Sequence, residues 1–138
     1  MPVNPEHLKQ RMNEAQEAKS ELKRLTSKPY PKLILEEKYA IRYHIIVLAE
    51  ALGSICLHIA TEEFKREPQS YSECFKIMEE KGILDYPKDL IALMRLRNLL
   101  THRYWTIDDN QVYDSIKNDF QAVDKFLWSV KEKYAINL

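Results

Sequence analysis

The chain has 138 residues, the usual length of one domain, and its 45% hydrophobic and 30% charged residues are typical of a globular protein rather than a disordered one. Lys plus Arg equals Asp plus Glu at 21 each, which excludes an overall basic surface as the means of holding nucleic acid. A local basic patch remains, because residues 88–103 carry four basic side chains and one acidic side chain.

Cysteine content and hydropathy indicate the compartment. Cys56 and Cys74 are too few for the disulfide framework of a small secreted protein, so a reducing cytoplasm is expected. The longest uncharged run, Ala51–Thr61, is about half of a membrane span, and the first twenty residues are too polar for a signal peptide. We therefore expect a cytoplasmic protein with no part embedded in a membrane.

The first two predicted helices differ in character. The first runs from Pro5 to Thr26 and is polar, so we expect it to pack lightly at the edge of the fold. The second runs from about Leu33 to Phe64 and is apolar on nearly every face between residues 43 and 60. A helix buried between other helices has this pattern, and the second helix is therefore predicted to be the central one.

Two helices are predicted from their start and stop signals. Ser70 with Glu73 forms a capping-box pattern that opens the third helix, and Gly82 marks its end. Asp85 before Pro87 opens the fourth helix, which extends to about residue 104.

A fifth helix is predicted from Asp108 to about Tyr134, and no segment alternates like a strand. Because the connections are short, successive helices should be antiparallel. The predicted fold is all-α: an up-and-down four-helix bundle with an additional N-terminal helix, in a single domain over residues 1–138 in which 1–27 is peripheral. The apolar second helix would leave surplus apolar surface, which predicts a homodimer.

Four side chains suited to chemistry lie near the end of the fourth helix: Arg97, Asn98, His102 and Tyr104. At about 100° per residue, Arg97 and Tyr104 share one face of a continuous helix, while His102 points about 140° away from Arg97. The three can therefore converge only if the helix loosens near His102, or if a second copy of the chain supplies part of the set.

The spacing of these residues resembles the Arg-x4-His-x-Tyr signature of HEPN domains, specifically the HepT-type toxins encoded with minimal nucleotidyltransferase antitoxins. The long apolar second helix that begins near residues 38–40, the start of the third helix at residues 70–73 and the exit at residues 104–108 also look familial. The resemblance covers most of the chain, and only the N-terminal helix, to about Ser27, is less characteristic.

This resemblance implies a metal-independent endoribonuclease that acts as a homodimer without a cofactor and uses the RNA 2′-OH as an internal nucleophile. His102 is implied as the proton-transfer group, since an imidazole titrates near neutral pH. Arg97 is implied to stabilise the phosphorane, because a guanidinium stays ionised and binds two phosphate oxygens. Asn98 would orient Arg97 or the phosphate. General acid and general base are two roles, so dimerisation would supply a second histidine.

The resemblance also implies Tyr104 as a hydroxyl at the mouth of the cleft, and this residue has a second implied role. In the resembled family a partner nucleotidyltransferase, the MntA-like antitoxin, transfers AMP to the tyrosine of the motif and silences the nuclease. An added nucleotide would bring bulk and phosphate charge to the place where Arg97 must meet RNA.

Each residue of the motif also has a structural interpretation. Arginine and histidine near a helix C-terminus often interact with the last carbonyls and the helix dipole. We favour that interpretation for Arg103, and catalysis for Arg97 and His102. Tyr104 and Trp105 could both be amphipathic packing residues at a helix end, and we predict that role for Trp105.

Residues outside the motif are interpreted as structural. His44 and His58 are predicted to be satisfied core or interface residues, and Tyr39 and Tyr43 are predicted to pack rather than to stack on bases. The sequence Cys-Leu-His at residues 56–58 lacks the paired ligand spacing of a zinc site, so no metal is predicted.

Three functions stay open on the sequence. The leading one is the RNase toxin, with RNA as substrate. The second is a non-catalytic subunit that binds the nucleotidyltransferase and presents nucleotide or substrate to it. The third is a plain helical scaffold in which the motif arises by chance.

Overall fold

Six α-helices make up most of the computed structural model, which describes residues 3–116 and 120–137. They are α1 (Pro5–Thr26), α2 (Leu35–Glu62), α3 (Tyr71–Glu80), α4 (Lys88–His102), α5 (Asp109–Ile116) and α6 (Gln121–Tyr134). Single-turn 3₁₀ helices lie at Tyr30–Lys32 and Tyr104–Thr106. The described residues contain no strand, and the predicted all-α fold is confirmed.

Helix α1 packs closely along α2, and the prediction that it packs only lightly is wrong. The Asn4 side chain accepts hydrogen bonds from the backbone N–H groups of Glu6 and His7 and caps the helix. The buried residues recur every three or four positions: Leu8, Met12, Ala15, Ala18, Leu22 and Leu25. Such a stripe defines one apolar face, and its alanines allow a close approach to α2 despite the polar composition of the rest.

Helix α2 is the central helix, as predicted, and packs against α1, α3 and α4. Its buried residues lie on several faces, among them Ile41, Ile45, Leu48, Leu52, Ile55 and Ile59. By length and hydropathy alone α2 could cross a membrane, but 56% of its most apolar window is buried inside the fold. The core helix of a soluble bundle satisfies the same two criteria.

Helices α3 and α4 begin and end close to the predicted positions. The Ser70 hydroxyl accepts a hydrogen bond from the Glu73 backbone N–H, as a capping residue does. Gly82 follows α3 with φ of 78°, a conformation that favours glycine. Helix α4 starts at Lys88, directly after Pro87, and stays helical through His102.

The single helix predicted from Asp108 to Tyr134 is wrong, because Phe120 lies outside both α5 and α6 with φ of −113° and ψ of 10°. Residues 117–119 of that prediction lie outside the described residues. Each of the two helices has buried residues of its own: Val112, Tyr113 and Ile116 on α5, and Val123, Phe126, Leu127, Val130 and Tyr134 on α6. The Tyr113 hydroxyl on α5 donates to the carbonyls of Thr26 and Lys28 and ties α5 to the end of α1.

Candidate functional site

Arg97 points from α4 towards α2, where it forms an ion pair with Glu50. Its Nη1 donates to the Oδ1 atom of Asn98 at 2.8 Å. The Arg97 side chain is 23% exposed and that of Glu50 is 43% exposed, so the pair lies at the surface end of the contact between α2 and α4. Charge-assisted hydrogen bonds on two nitrogens fix the plane of the guanidinium.

Tyr71, at the start of α3, completes the support of Arg97. The guanidinium carbon of Arg97 lies 5.8 Å from the centre of the Tyr71 ring, within the range of a cation–π contact. The Tyr71 hydroxyl donates to Glu50 Oε2 at 3.5 Å. Partial burial, and next the nearby Glu50 carboxylate, raise the pKa of Tyr71, so this hydroxyl stays a donor. Tyr71 packs against α2 at Gly53.

Glu50, Tyr71 and Gly53 were not singled out from the sequence, although two of them carry a visible signal. Glu50 is the one charged residue in the apolar stretch at positions 43–60. A charge in such a stretch requires a partner. Gly53 is one of only two glycines in the chain and lies inside a long helix, where glycine is unfavourable unless close packing requires it.

His102 is exposed at the last position of α4, on a different face from Arg97. It lines a shallow depression of about 410 Å³ together with Arg95, Asn98, Leu99 and Arg103. Asn98 lies one helical turn before His102, so the two share a face. The Asn98 side chain therefore lies on the same surface as His102, and its Oδ1 atom accepts the hydrogen bond from Arg97.

The helix does not loosen before His102. The backbone N–H of Arg103 still donates to the Leu99 carbonyl at 2.8 Å, and only Arg103 itself leaves the helical conformation, with φ of −138° and ψ of 41°. Arg97 and His102 therefore remain about 140° apart around the axis of α4. The sequence allowed Arg97 and His102 to meet either by loosening of the helix or through a second copy of the chain. Because the helix stays intact in the described residues, only the second option remains.

Tyr104 lies in the 3₁₀ turn that follows α4 and is 60% exposed. Arg42 on α2 holds this turn: its Nη1 donates to the Tyr104 carbonyl at 3.3 Å. The same guanidinium binds both carboxylate oxygens of Asp109, at 2.7 and 3.1 Å. One arginine therefore links α2 to the turn and to the start of α5, and the Tyr104 ring is presented to solvent from a fixed backbone.

Three aromatic residues predicted to pack are exposed. Trp105 is 68% exposed and contacts Tyr104 edge to face, with ring centres 5.4 Å apart. Tyr39 and Tyr43, one turn apart on α2, are 54% and 62% exposed. Their predicted packing role is wrong within one chain, because the described helices leave these rings on the surface.

The two histidines of α2, predicted to be satisfied core or interface residues, are partly buried. The Nε2 atom of His58 accepts the backbone N–H of Asn4 at 2.9 Å, and its ring lies 4.5 Å from that of His7. Burial, and next the neighbouring His7, lower the pKa of His58. Cys56 and Cys74 are buried free thiols. Among residues 3–116 and 120–137, no three His, Cys, Asp or Glu side chains come together as metal ligands would.

Residues 13–130 match the family model described as ribonuclease HepT-like. The fold is similar to that of one chain in a crystal structure of a mutant MntA–HepT toxin–antitoxin complex, with a TM-score of 0.81 and 15% sequence identity over 92% of this chain and 98% of that chain. At this identity the likeness shows the fold alone. No curated protein matches the sequence.

Proposed function

The chain belongs to the ribonuclease HepT-like family, and on this premise we propose that it is the endoribonuclease toxin of a toxin–antitoxin pair, with Arg97 and His102 as its catalytic residues. The observation that carries the proposal is the place of Asn98. Its side chain holds the Arg97 guanidinium and also lines the depression beside His102. A phosphate-binding group and a proton-transfer group are thereby linked at one end of α4.

Arg97 has the donors that a scissile phosphate requires. Each terminal nitrogen of a guanidinium carries two N–H groups. Glu50 occupies one on Nη2 and Asn98 occupies one on Nη1, which leaves a second N–H on each nitrogen for phosphate oxygens. Held in this way, the guanidinium stabilises the charge that develops on the phosphorane without reorganising during the reaction.

The chemistry proposed is transfer within the RNA strand. The 2′-oxygen forms a bond to phosphorus, the bond from phosphorus to the 5′-oxygen breaks, and the products carry a 2′,3′-cyclic phosphate and a 5′-hydroxyl. One imidazole accepts the proton of the 2′-OH, and a protonated imidazole donates to the leaving 5′-oxygen. The step needs no metal and no cofactor.

Two imidazoles at one phosphate require two copies of the chain, since the motif supplies one histidine and places it on a different face of α4 from Arg97. We propose a homodimer in which Arg97 and His102 of both copies face one cleft. Exposed apolar side chains for such a contact lie on α2, where Leu35, Tyr39 and Tyr43 recur every four residues and are each more than half exposed. Surfaces of this kind mark protein contacts.

The tyrosine of the motif is proposed as the site of control. Its hydroxyl would attack the α-phosphorus of ATP bound to a partner nucleotidyltransferase, lose its proton and release pyrophosphate. The exposure of Tyr104 makes that approach feasible. AMP on Tyr104 would then place a negative charge at the cleft and repel RNA phosphate.

Cleavage of single-stranded RNA by the purified protein in EDTA tests the nuclease proposal. Products with 2′,3′-cyclic phosphate ends are expected, and His102→Ala and Arg97→Ala should each lower the rate by about a hundredfold or more. His58→Gln, near the C-terminal end of α2, is the matched histidine control and should cut at the wild-type rate. Cleavage that is unchanged in His102→Ala would reject the catalytic assignment and leave the non-catalytic subunit as the better hypothesis.

Adenylylation is tested separately, by mass spectrometry after incubation with the partner nucleotidyltransferase and ATP. Wild-type protein should gain the mass of one or more adenylyl groups and lose its nuclease activity. Tyr104→Phe should gain none, and should still cut RNA in the presence of the partner and ATP. Adenylylation of Tyr104→Phe at the wild-type level would reject Tyr104 as the acceptor.

A further inference from the structure

Trp105 is a large aromatic side chain that the fold leaves in solvent. It is 68% exposed, and Tyr104 beside it is 60% exposed. Their rings meet edge to face at 83°, with centres 5.4 Å apart. The indole of Trp105 therefore contributes little to the packing of the described chain and is accessible to a ligand.

The backbone under the two rings is well ordered by hydrogen bonds. The N–H and hydroxyl of Thr106 both donate to the Arg103 carbonyl, at 2.9 and 2.8 Å. Arg42 donates to the Tyr104 carbonyl at 3.3 Å. The aromatic pair is thus carried on a turn that is fixed at both ends, and a ligand that stacks on it would not have to order the turn first.

The charges around the pair favour a polyanion. His102 and Arg103 are exposed directly before the two rings in the chain. Of the two nearby carboxylates, Asp109 is paired with Arg42, while Asp108 keeps its negative charge and accepts the N–H of Asn110 at the positive end of the α5 dipole. Exposed aromatic rings next to exposed basic side chains are a common means by which proteins hold single-stranded nucleic acid.

We propose that Trp105, with Tyr104 at its edge, is a stacking platform for a nucleobase next to the scissile phosphate of single-stranded RNA. This inference rests on the proposed nuclease function and adds a binding subsite to it. Trp105 takes the base, Arg103 takes a backbone phosphate, and Arg97 and His102 act on the neighbouring phosphodiester. Stacking uses the face of the base rather than its edges, so the platform holds RNA without fixing its sequence.

The chain contains a matched control for this proposal. Its other tryptophan, Trp128 on α6, is 64% exposed and lies outside the site. Trp128→Phe leaves Trp105 as the only tryptophan, and Trp105→Phe leaves Trp128. The probe is a 2′-O-methyl oligoadenylate, which lacks the attacking 2′-OH and can be bound without being cut.

Tryptophan fluorescence and binding constants then test the platform in the full-length protein. The oligoadenylate should quench the fluorescence of Trp128→Phe and leave that of Trp105→Phe unchanged. Trp105→Ala should weaken binding about tenfold, while Trp128→Ala should bind as the wild type does. Circular dichroism checks that both alanine variants are folded, as their exposed positions lead us to expect.

Three results would overturn the inference. The first is fluorescence of Trp105 that the oligoadenylate does not change. The second is Trp105→Ala with wild-type RNA affinity and wild-type kcat/KM; in that case the nuclease proposal stands and the platform falls. The third is a Trp105→Ala variant that sediments as a monomer where the wild type is a dimer, while each subunit binds the oligoadenylate with unchanged affinity. That result would assign the ring to a chain–chain interface. Quenching of Trp105 in a protein that cuts no RNA would support the platform and reject the nuclease.

Discussion

A Cβ atom on Gly53 would lie 2.6 Å from Cζ of Tyr71, so the tyrosine ring occupies the space that any other residue would fill at this position of α2. Real Cβ contacts are not this short, and a side chain at position 53 must displace the ring. The ring lies below the Arg97 guanidinium, and its hydroxyl contacts Glu50. Gly53 therefore sets the position of the tyrosine ring that supports Arg97, the proposed catalytic arginine.

Gly53→Ala is expected to lower the cleavage rate by roughly tenfold or more, because displacement of Tyr71 moves Arg97 out of register with the phosphate. Stability should change by less than about 1 kcal/mol, since alanine is favoured over glycine in a helix and offsets the repacking. Single-turnover cleavage and urea unfolding measure the two effects.

Gly82→Ala is the control for that variant. Position 82 has a positive φ and nothing near its Cβ, so the variant should lose about 1 kcal/mol of stability and keep its cleavage rate. If Gly53→Ala cuts RNA at the wild-type rate, the supporting role of Tyr71 is rejected.

Glu50→Gln should lower kcat while KM stays unchanged or falls. The carboxylate orients Arg97 through an ion pair, so its loss loosens the catalytic geometry. Removal of the negative charge also reduces repulsion of the RNA phosphate. Stability should change by less than about 1 kcal/mol because the pair is partly exposed.

The matched control for Glu50→Gln is Glu63→Gln. Glu63 caps the C-terminal end of α2, and its carboxylate pairs with Lys133 of α6. Steady-state kinetics on one RNA give kcat and KM for both variants. A raised KM with unchanged kcat in Glu50→Gln would contradict the positioning role.

The bond between Arg42 and Asp109 is expected to hold the turn that presents Tyr104 and Trp105. Both side chains are about four-fifths buried, so Arg42→Ala should cost about 1–3 kcal/mol and speed hydrogen exchange at the amides of Thr106 and Ile107. Arg66→Ala removes a longer and more exposed ion pair, with Glu80, and should change stability by less than about 1 kcal/mol. Unchanged exchange at both amides in Arg42→Ala would show that the turn is held by other contacts.

His58 should make stability depend on pH. Its lowered pKa means that the folded chain disfavours the protonated imidazole; burial is the main cause, His7 adds to it and Glu62 opposes it. The unfolded chain takes up a proton below about pH 6.5, before the folded chain does. The His58 contribution is therefore complete above that pH and is lost as pH falls towards the folded pKa.

Urea unfolding at pH 5 and pH 7.5 measures this dependence. His58→Gln, which keeps an acceptor for the Asn4 N–H, should lose less stability between the two values than the wild type does. His44→Gln should show the wild-type difference. An equal loss in wild type and His58→Gln would assign the pH dependence to other groups.

The sequence by itself determined the helical fold class, most of the helix bounds and the family. Apolar periodicity and capping residues are local, and signals such as Ser70 and Gly82 act within one turn of the helix that they begin or end. The motif at residues 97–104 was equally visible, because its spacing is a property of the chain and not of the fold. The catalytic, AMP-transfer and homodimer assignments built on it stay predictions.

Only the tertiary structure decided which partners these residues have. Glu50 lies 47 positions from Arg97 and Arg42 lies 67 from Asp109, and no local signal couples residues so far apart. The tertiary structure also decided which side chains are exposed. Trp105 is of a residue type that usually packs, but its burial depends on whether another helix covers it. Nothing in the described part of the chain covers this turn. The same holds for α1, whose polar composition concealed a narrow stripe that α2 buries.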